Sequence, residues 1–160
     1  MIRTVQTKDI REISTIYNYY IENTTITFEE EPISDDEMGK RINEVVPSYP
    51  WLVYEYNETV LGYAYATRWR ARAAYRHSVE LSIYISKDNL GKGIGKKLYE
   101  TILAELKKSD VHAVIGGMSL PNEPSEKLHE SLGFKKIAEF KEVGYKFQKW
   151  IDVGYWELII

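Results

Sequence analysis

The stretch from His77 to Leu106 constrains the fold of this chain most, because its pattern predicts a strand, a glycine-rich loop and an amphipathic helix in direct succession. In the loop, Gly91, Gly93 and Gly95 allow backbone conformations closed to residues with a Cβ, so successive N–H groups can turn inward at the positive end of the helix. The sequence therefore predicts that the loop holds a phosphate or pyrophosphate. Along the strand, side chains alternate between one face with Val79, Leu81, Ile83 and Ile85 and another with Glu80, Ser82 and Tyr84.

The spacing of the glycines excludes two common nucleotide-binding loops. A dinucleotide fingerprint requires G-x-G-x-x-G, but the third required position after Gly91 and Gly93 is Lys96. A P-loop requires G-x-x-x-x-G-K-[ST], and no register of this stretch supplies it. A tight connection without a ligand is the alternative interpretation of the loop.

Length, charge and composition narrow the class of protein. The 160 residues suit one compact domain, so we expect a single domain over residues 1–160. The net charge of −3 argues against a nucleic-acid or membrane partner, although Lys92, Lys96 and Lys97 form a positive cluster that suits a phosphorylated ligand. The absence of cysteine and the separation of the three histidines argue against a metal site. Because the N-terminus lacks an apolar signal core and no apolar run reaches about 18 residues, we expect a cytoplasmic protein.

The rest of the chain predicts strands and helices in mixed order. Strand patterns occupy residues 2–5, 51–67 as a hairpin, 111–119, 134–142 and 147–160. Further helices are predicted after a cap at Thr7, after a capping box of Ser34 and Glu37, and at residues 124–132. Together these elements predict an α+β fold with a mixed sheet of about six or seven strands.

Several short motifs spread over most of the chain carry a resemblance to a known family. They are Tyr49-Pro50-Trp51, Leu61-Gly-Tyr-Ala-Tyr-Ala66, Arg72-x-x-Tyr75, Val79-Glu80, Pro121-Asn122-x-x-Ser125, Leu128-His129-Glu130-x-Leu-Gly-Phe134 and Val143-Gly-x-Lys146-x-x-x-Trp150-x-Asp152-Val. With the loop, they resemble the GNAT N-acetyltransferases, and within these the group that acetylates phosphinothricin, methionine sulfoximine and methionine sulfone. The resemblance implies a GNAT-type fold with helices on both faces of the sheet. It also implies acetyl-CoA as co-substrate and no metal.

For acetyl-CoA, the resemblance implies contacts from the strand end, the loop and the segment after residues 111–119. Asn122 would bond the pantetheine arm or order a water, with a turn-forming asparagine as the alternative, and Ser131 would touch the cofactor or only water. Leu90 departs from the family's loop pattern, which removes one side-chain contact and predicts weaker binding at most. The backbone would pair with the pantetheine arm at Ile83, Tyr84 and Ile85. The pyrophosphate would bind at Gly91, Lys92, Gly93, Ile94, Gly95 and Lys96.

Acetyl transfer from a thioester to an amine needs a neutral amine, a donor to the oxyanion and a proton for the leaving thiolate. The resemblance assigns the general base to Glu80, acting directly or through a water; a solvated or ion-paired carboxylate is the alternative. It assigns the proton donor to His129, which stands where many family members carry a tyrosine; a hydrogen-bonded structural histidine is the alternative.

For the acceptor, Arg72 offers a planar fork to a carboxylate, and Phe28, Trp69 and Tyr75 offer apolar walls. A solvated arginine and core aromatics are the alternatives. Three further matches to the group have no assigned chemistry and are expected to shape the pocket or a dimer contact: Lys146, Trp150 and Asp152.

The sequence thus predicts an acetyl-CoA-dependent N-acetyltransferase that acts on a small amino acid as a homodimer. Two alternatives stay open. One is an acetyltransferase of peptides or polyamines, and the other is an acyl-CoA-binding sensor without turnover.

Overall fold

The chain forms seven strands and four α-helices in mixed order. The computed structural model describes residues 1–160. The strands are β1 (Ile2–Thr4), β2 (Trp51–Tyr56), β3 (Thr59–Arg68), β4 (Ser78–Ile85), β5 (Ala113–Ser119), β6 (Lys135–Lys146) and β7 (Lys149–Ile159). The helices are α1 (Ile10–Asn23), α2 (Asp35–Val45), α3 (Ile94–Leu106) and α4 (Glu123–Ser131).

All strands join one mixed sheet in the order β1-β2-β3-β4-β5-β7-β6, which confirms the predicted fold class. Neighbouring strands are antiparallel except β4 and β5, which run parallel. Their pairing covers only Ser78–Leu81 and Ala113–Gly116. Beyond these residues, β4 continues to Ile85 and β5 to Ser119, but the two strands no longer pair with each other. A gap therefore opens between their C-terminal halves.

Two apolar cores hold the helices, one on each face of the sheet. On one face, α3 packs on a buried cluster that includes Val79 and Leu81 of β4. On the other face, α1 and α2 pack on a second cluster, and Tyr84 of β4 lies against it. The alternation predicted for β4 is therefore confirmed, because burial of opposite side chains in separate cores fixes the strand's orientation.

Both hairpin turns consist of two residues with positive φ. The turn at Asn57 and Glu58, with φ of 47° and 62°, lies where the sequence predicted it. The turn between β6 and β7 is formed by Phe147 and Gln148, with φ of 51° and 58°. The prediction that a strand begins at Phe147 is therefore wrong. Neither residue has the chemistry usual for a two-residue turn, so no local pattern marks this turn.

The predicted N-terminal cap is confirmed for α2 but not for α1. The Oγ of Ser34 accepts the N–H of Glu37, which confirms the cap of α2. The predicted cap at Thr7 is wrong, because Thr7–Asp9 form a 3-10 turn before α1. There the carboxylate of Asp9 accepts the N–H of Gln6 at 2.8 Å, which replaces a threonine cap.

Candidate active site

The gap between β4 and β5 leaves one edge of β4 unpaired. The N–H of Ser86 bonds to β3, so strand alternation turns the peptide groups of Tyr84 toward β3 and those of Ile83 and Ile85 toward the gap. The carbonyl of Ile85 already accepts the hydroxyl of Tyr20 at 2.6 Å. Of the three residues predicted to pair with an extended ligand, the backbone thus favours Ile83 and Ile85 over Tyr84.

The glycine-rich loop leads directly into the first turn of α3. Gly91 and Gly93 have φ of 73° and 76°, in the left-handed region that favours glycine. The N–H of Lys97 bonds to the carbonyl of Gly93, so the N–H groups of the three residues between them have no partner within the helix. No acidic side chain lies in this turn. The positive end of α3 therefore presents free donors, an arrangement suited to pyrophosphate.

Gly95 lies inside α3, which corrects the predicted reason for this glycine. It needs no unusual backbone angle, because its position is helical. A Cβ at Gly95 would lie 3.4 Å from both the Cδ1 of Ile83 and the Cδ2 of Leu128. The glycine therefore keeps the helix end close to the gap. Ile94 is buried in the core, so it can serve a ligand only through its backbone.

The two lysines predicted to bind the pyrophosphate, Lys92 and Lys96, differ in their contacts. The Nζ of Lys92 donates to the carbonyl of Asp88 and to the Oδ1 of Asn89, both at 2.9 Å, and so steadies the turn before the loop. Lys96 is exposed on the first turn of α3. Leu90 is 57% exposed, so its departure from the family pattern leaves an apolar side chain at the surface of the loop.

Glu80 projects from β4 toward the face opposite α3, beside Gly117 of β5 and the ring of Tyr155 of β7. It is partly buried. Burial raises the pKa of Glu80 above its usual value, and the charge of Arg70 acts in the opposite direction. No hydrogen bond or ion pair within the chain holds the carboxylate. This environment matches neither a solvated nor an ion-paired carboxylate, and it suits a general base. The catalytic role of Glu80 stays a prediction.

His129 lies on α4 inside a buried hydrogen-bond chain. Its Nδ1 lies 2.8 Å from the carbonyl of Ser125, and its Nε2 lies 3.3 Å from the hydroxyl of Tyr99. Since a carbonyl only accepts, Nδ1 carries the proton and Nε2 accepts from Tyr99. Burial lowers the pKa of His129, which favours the neutral ring. These contacts match the structural alternative for His129, and any proton it delivers to the gap passes through the Tyr99 hydroxyl or follows a rearrangement.

Asn122 and Ser131 mark the two ends of α4. The Oδ1 of Asn122 accepts the N–H of Ser125 at 3.3 Å, so the residue caps the helix, a local structural role other than the turn given as its alternative interpretation. Its amide NH2 makes no hydrogen bond within the chain and borders the gap. The exposed Oγ of Ser131 donates to the carbonyl of Leu128 at 2.8 Å. Asn122 therefore keeps a free donor for a ligand, whereas the Ser131 hydroxyl proton is engaged on its own helix.

Two adjoining cavities lie at the gap. The inner one, of about 60 Å³, is lined by Ser82, Tyr99 and His129 among others. The outer one is an open cleft of about 590 Å³ next to Phe147. Ile26 and Asn122 line both, so the two spaces are neighbours. Another cavity, of about 370 Å³, lies between the ends of α2 and α3 and contains none of the predicted site residues.

The residues predicted for the acceptor do not form one cluster. Trp69 packs edge-on against Tyr155, with ring centroids 5.5 Å apart, and so lies near Glu80. The side chain of Phe28 rests on Gly144 of β6, where a Cβ would lie 2.4 Å from two atoms of its ring. The remaining two, Arg72 and Tyr75, are exposed on the segment between β3 and β4 and have no side-chain hydrogen bond or ring contact.

Sequence reasoning missed four residues around Glu80 and His129. Arg70, Tyr99, Gly117 and Tyr155 reach the site from four different elements or segments. No local pattern marks them, because β7 inserts between β5 and β6 and brings Tyr155 next to Gly117 only through long-range pairing. Only Arg70 could have been suspected locally, because it directly follows Trp69 in the sequence. In the structure its guanidinium stacks on that ring, 4.4 Å from the centroid.

The structure contains neither a metal-binding cluster nor a helix that could span a membrane. No group of three or more His, Asp or Glu side chains is arranged to hold a metal ion. None of the helices has both the length and the apolar character needed to cross a bilayer.

Comparison with known proteins gives consistent matches over the whole chain. The family model described as an acetyltransferase (GNAT) domain matches residues 2–154. Phosphinothricin N-acetyltransferase of Streptomyces viridochromogenes is 36% identical over 156 residues, covering 98% of this chain and 85% of the relative. L-methionine sulfoximine/L-methionine sulfone acetyltransferase of Salmonella typhimurium is 32% identical, covering 98% of this chain and 92% of the relative. The crystal structure of a phosphinothricin acetyltransferase from Sinorhizobium meliloti in complex with AcCoA superposes with a TM-score of 0.97 at 33% identity, covering 100% of this chain and 88% of that one.

Proposed function

The chain belongs to the GNAT acetyltransferase family, and on that premise we propose that it transfers the acetyl group of acetyl-CoA to the α-amine of a small amino acid. Phosphinothricin, methionine sulfoximine and methionine sulfone are the proposed acceptors, because the relatives named above act on them. The observation that carries the proposal is the gap between β4 and β5, since it joins an unpaired strand edge, a helix N-terminus rich in free donors and a carboxylate with a raised pKa.

Acetyl-CoA would lie along the unpaired edge of β4. The free peptide groups of Ile83 and the N–H of Ile85 would pair with the pantetheine arm as an added strand does. The pyrophosphate would bind the loop from Gly91 to Lys96 at the start of α3. The free amide of Asn122 would donate to the same arm from the opposite side of the gap. These contacts would carry the thioester to the inner cavity, next to Glu80.

In the chemical step, the acceptor must lose the proton of its ammonium before its nitrogen attacks the thioester carbon. Glu80 would take that proton, directly or through one water, and its raised pKa places it closer to the pKa of the amine than an exposed glutamate would be. The new C–N bond forms as the carbonyl electrons move onto oxygen. The C–S bond then breaks, and the thiolate takes a proton from water, or from His129 through Tyr99 once the ring has also been protonated at Nε2 and the Tyr99 hydroxyl has turned toward the sulfur. The nitrogen loses two protons in all: the first stays on Glu80 until it passes to solvent, and the second replaces the proton that sulfur takes up, so charge balances.

Acceptor binding is proposed on the face of the sheet that carries Glu80. Trp69 and Tyr155 form an aromatic wall beside the carboxylate, and Phe28, from the segment between α1 and α2, rests on Gly144 of β6. Arg72 is proposed to fix the α-carboxylate of the acceptor. Its side chain is exposed and makes no hydrogen bond or salt bridge within the chain, so no internal polar partner competes for it.

The test is release of the CoA thiol from acetyl-CoA across a panel of acceptors at equal concentration. We expect the highest kcat/KM with phosphinothricin, methionine sulfoximine or methionine sulfone. Faster turnover of polyamines or of peptide N-termini would overturn the acceptor assignment. Tight acetyl-CoA binding without thiol release on any acceptor would indicate the sensor instead. Mass spectrometry of the product, to locate the acetyl group on the α-nitrogen, distinguishes transfer from hydrolysis.

We also propose that the protein is a cytoplasmic homodimer. Support for the dimer comes from β6, an edge strand whose exposed apolar side chains have no cover in the monomer. A second copy can cover them and pair with the free strand edge through a two-fold axis. Sedimentation velocity tests the oligomeric state, and a monomer at assay concentration would contradict it. The exposed apolar side chains on the β6–β7 hairpin include Ile137, Phe140, Val143, Tyr145 and Trp150.

The proposed cytoplasmic location is supported by the use of acetyl-CoA, which is a metabolite of the cytoplasm.

A further inference from the structure

Lys146, at the end of β6, buries its side chain although its neighbours are exposed. The residue is 1% exposed, whereas Tyr145 and Phe147 on either side are about half exposed. Its Nζ donates one hydrogen bond, to the carbonyl of Thr27 at 2.9 Å, and forms no salt bridge. Burial lowers the pKa of Lys146, while Glu29 and Glu30 act in the opposite direction. Burying a lysine is costly unless a specific contact compensates for the lost hydration, and here the contact is made to a loop 119 residues away in sequence.

That loop, formed by residues 24–34 between α1 and α2, is held from behind by side chains of both helices. The hydroxyl of Tyr17 bonds the Oγ1 of Thr27 at 2.9 Å and also donates to the carboxylate of Glu29. Arg41 binds the same carboxylate with two hydrogen bonds, of 2.9 and 2.7 Å. The 24–34 loop is thus fixed to α1 and α2 on one side. On its other side, the Thr27 carbonyl is held by Lys146 alone.

The residues next to Thr27 reach the candidate active site. Ile26, which precedes it, lines both the inner cavity and the outer cleft. Phe28, which follows it, packs on Gly144, two residues before Lys146. On the other side of the contact, Phe147 lines the outer cleft, and its ring lies 5.0 Å from the Nζ of Lys146. One buried hydrogen bond therefore joins the two segments that carry Ile26 and Phe147 to the wall of the cleft.

We propose that Lys146 is a positioning residue that locks the 24–34 loop to the β6–β7 turn and thereby fixes the width of the acceptor cleft. It touches neither reactant. The inference rests on the proposed function, which places Phe28 at the acceptor site, and it takes the cleft beside the 24–34 loop as the acceptor's. Its consequence is selective: loss of the contact weakens acceptor binding and leaves acetyl-CoA binding intact, because the cofactor loop at the start of α3 has no contact with Lys146.

The test compares Lys146→Met with Lys149→Met. Lys149 pairs with Lys146 across the same turn but is exposed and has no side-chain hydrogen bond, so it is a matched control for loss of a lysine at this place. We expect Lys146→Met to raise the KM for the acceptor about tenfold, with little change in the KM for acetyl-CoA, and to speed amide hydrogen exchange in residues 24–34. Lys149→Met should match the wild type in all three. The variant Lys146→Gln keeps an N–H donor without a charge, and we expect it to restore part of the acceptor affinity.

A second variant on the same strand is Gly144→Ala, whose Cβ would push the ring of Phe28, and with it the 24–34 loop, away from β6. It should raise the acceptor KM in the same selective way, and it keeps the test informative if Lys146→Met does not fold. Unchanged acceptor KM in folded Lys146→Met, or an equal rise in both KM values, would overturn the inference. If the wild type acetylates no amine, the proposed function fails, while hydrogen exchange still tests the lock: unchanged exchange in residues 24–34 of Lys146→Met would exclude it.

Discussion

The Oε1 atom of Glu80 lies 3.1 Å from the place that a Cβ would take at Gly117, on the strand beyond the last paired residues of β4 and β5. The ring of Tyr155 crowds the same place, with its Cε1 at 2.8 Å. A side chain on β5 would therefore fill the space in front of the carboxylate. Because residue 117 is a glycine, the space in front of the Glu80 carboxylate stays open to the gap. The backbone of β5 and the ring of Tyr155 still shield the carboxylate from water.

Replacing Glu80 with glutamine should remove the base while keeping the shape of the side chain. We expect kcat to fall by about 10²–10⁴ with little change in the KM for acetyl-CoA. In the wild type, the acidic limb of kcat/KM should lie above pH 4.5, because burial raises the pKa of Glu80. Steady-state rates from about pH 5 to 9 check both points. A variant that keeps its kcat and its acidic limb would assign Glu80 a structural role.

The same substitution should stabilise the protein at alkaline pH. The pKa of Glu80 is raised in the folded state, so its contribution to stability is full below the unfolded value of 4.5 and is lost as pH rises through the folded pKa. Glu80→Gln carries no such loss. We therefore expect its Tm to exceed that of the wild type at about pH 8, and the difference to shrink toward about pH 4. Thermal unfolding followed by circular dichroism measures this, and a Tm difference independent of pH would contradict it.

Substitution of Gly93 tests the loop. Its φ of 76° is closed to a β-branched residue, so Gly93→Val should rotate the free N–H groups away from the pyrophosphate and raise the KM for acetyl-CoA about tenfold or more. Gly133→Val is the control, since Gly133 has a φ of 91° outside the loop and reports the cost of backbone strain alone. Equal KM values for the two variants would remove the loop from the cofactor site.

Arg70 and Arg72 should give different signatures when each is replaced by alanine. If Arg72 reads the α-carboxylate, Arg72→Ala should lower kcat/KM for amino acids about 30-fold or more and spare uncharged amines. Arg70 opposes the raised pKa of Glu80, so Arg70→Ala should shift the acidic limb to higher pH. Initial rates with one amino acid and one polyamine, over a range of pH, separate the two. Equal losses toward both acceptors in Arg72→Ala would show that this side chain does not read the carboxylate.

The ion pair of Arg3 and Asp9 should be needed for stability. Arg3 binds the carboxylate of Asp9 with two hydrogen bonds, of 2.7 and 2.8 Å, and Asp9 is 2% exposed. Burial acts to raise the pKa of Asp9, but hydrogen bonds from Arg3 and the Gln6 N–H outweigh it and hold the pKa below the usual value. Because the substitution weakens two charge-assisted hydrogen bonds while Arg3 keeps the carboxylate of Glu55 as a partner, Asp9→Asn should lower the free energy of unfolding by about 2 kcal/mol.

Urea unfolding near neutral pH measures this loss, with the exposed Asp88→Asn as control. The stabilising effect of Asp9 is present above its unfolded pKa of 3.8 and is lost as pH falls through the folded value, so the two proteins should converge in acid. A loss no larger than that of the control would show that the pair contributes little.

The chain's local patterns were enough to predict most of the fold. Alternation placed the side chains of β4 on their correct faces, and the apolar stripe of α3, marked by Leu98 and Ile102, is buried. Both signals are local, because a strand or helix with one apolar face has one way to bury it. The turn at Phe147 and Gln148 was missed, since its backbone is imposed by the pairing of β6 with β7 and not by turn-forming residues.

The site divides in the same way. By itself, the sequence determined the backbone of the glycine-rich loop, because Gly91 and Gly93 carry their conformational freedom wherever they stand, and it determined the family through short motifs that each lie within one stretch of chain. Only the tertiary structure decided that Glu80 is unpaired beside Gly117 and that Lys146 reaches Thr27. Burial, and with it the pKa of a carboxylate or the cost of a buried ammonium, depends on which distant segments cover a side chain, and that is settled by packing across the whole sheet.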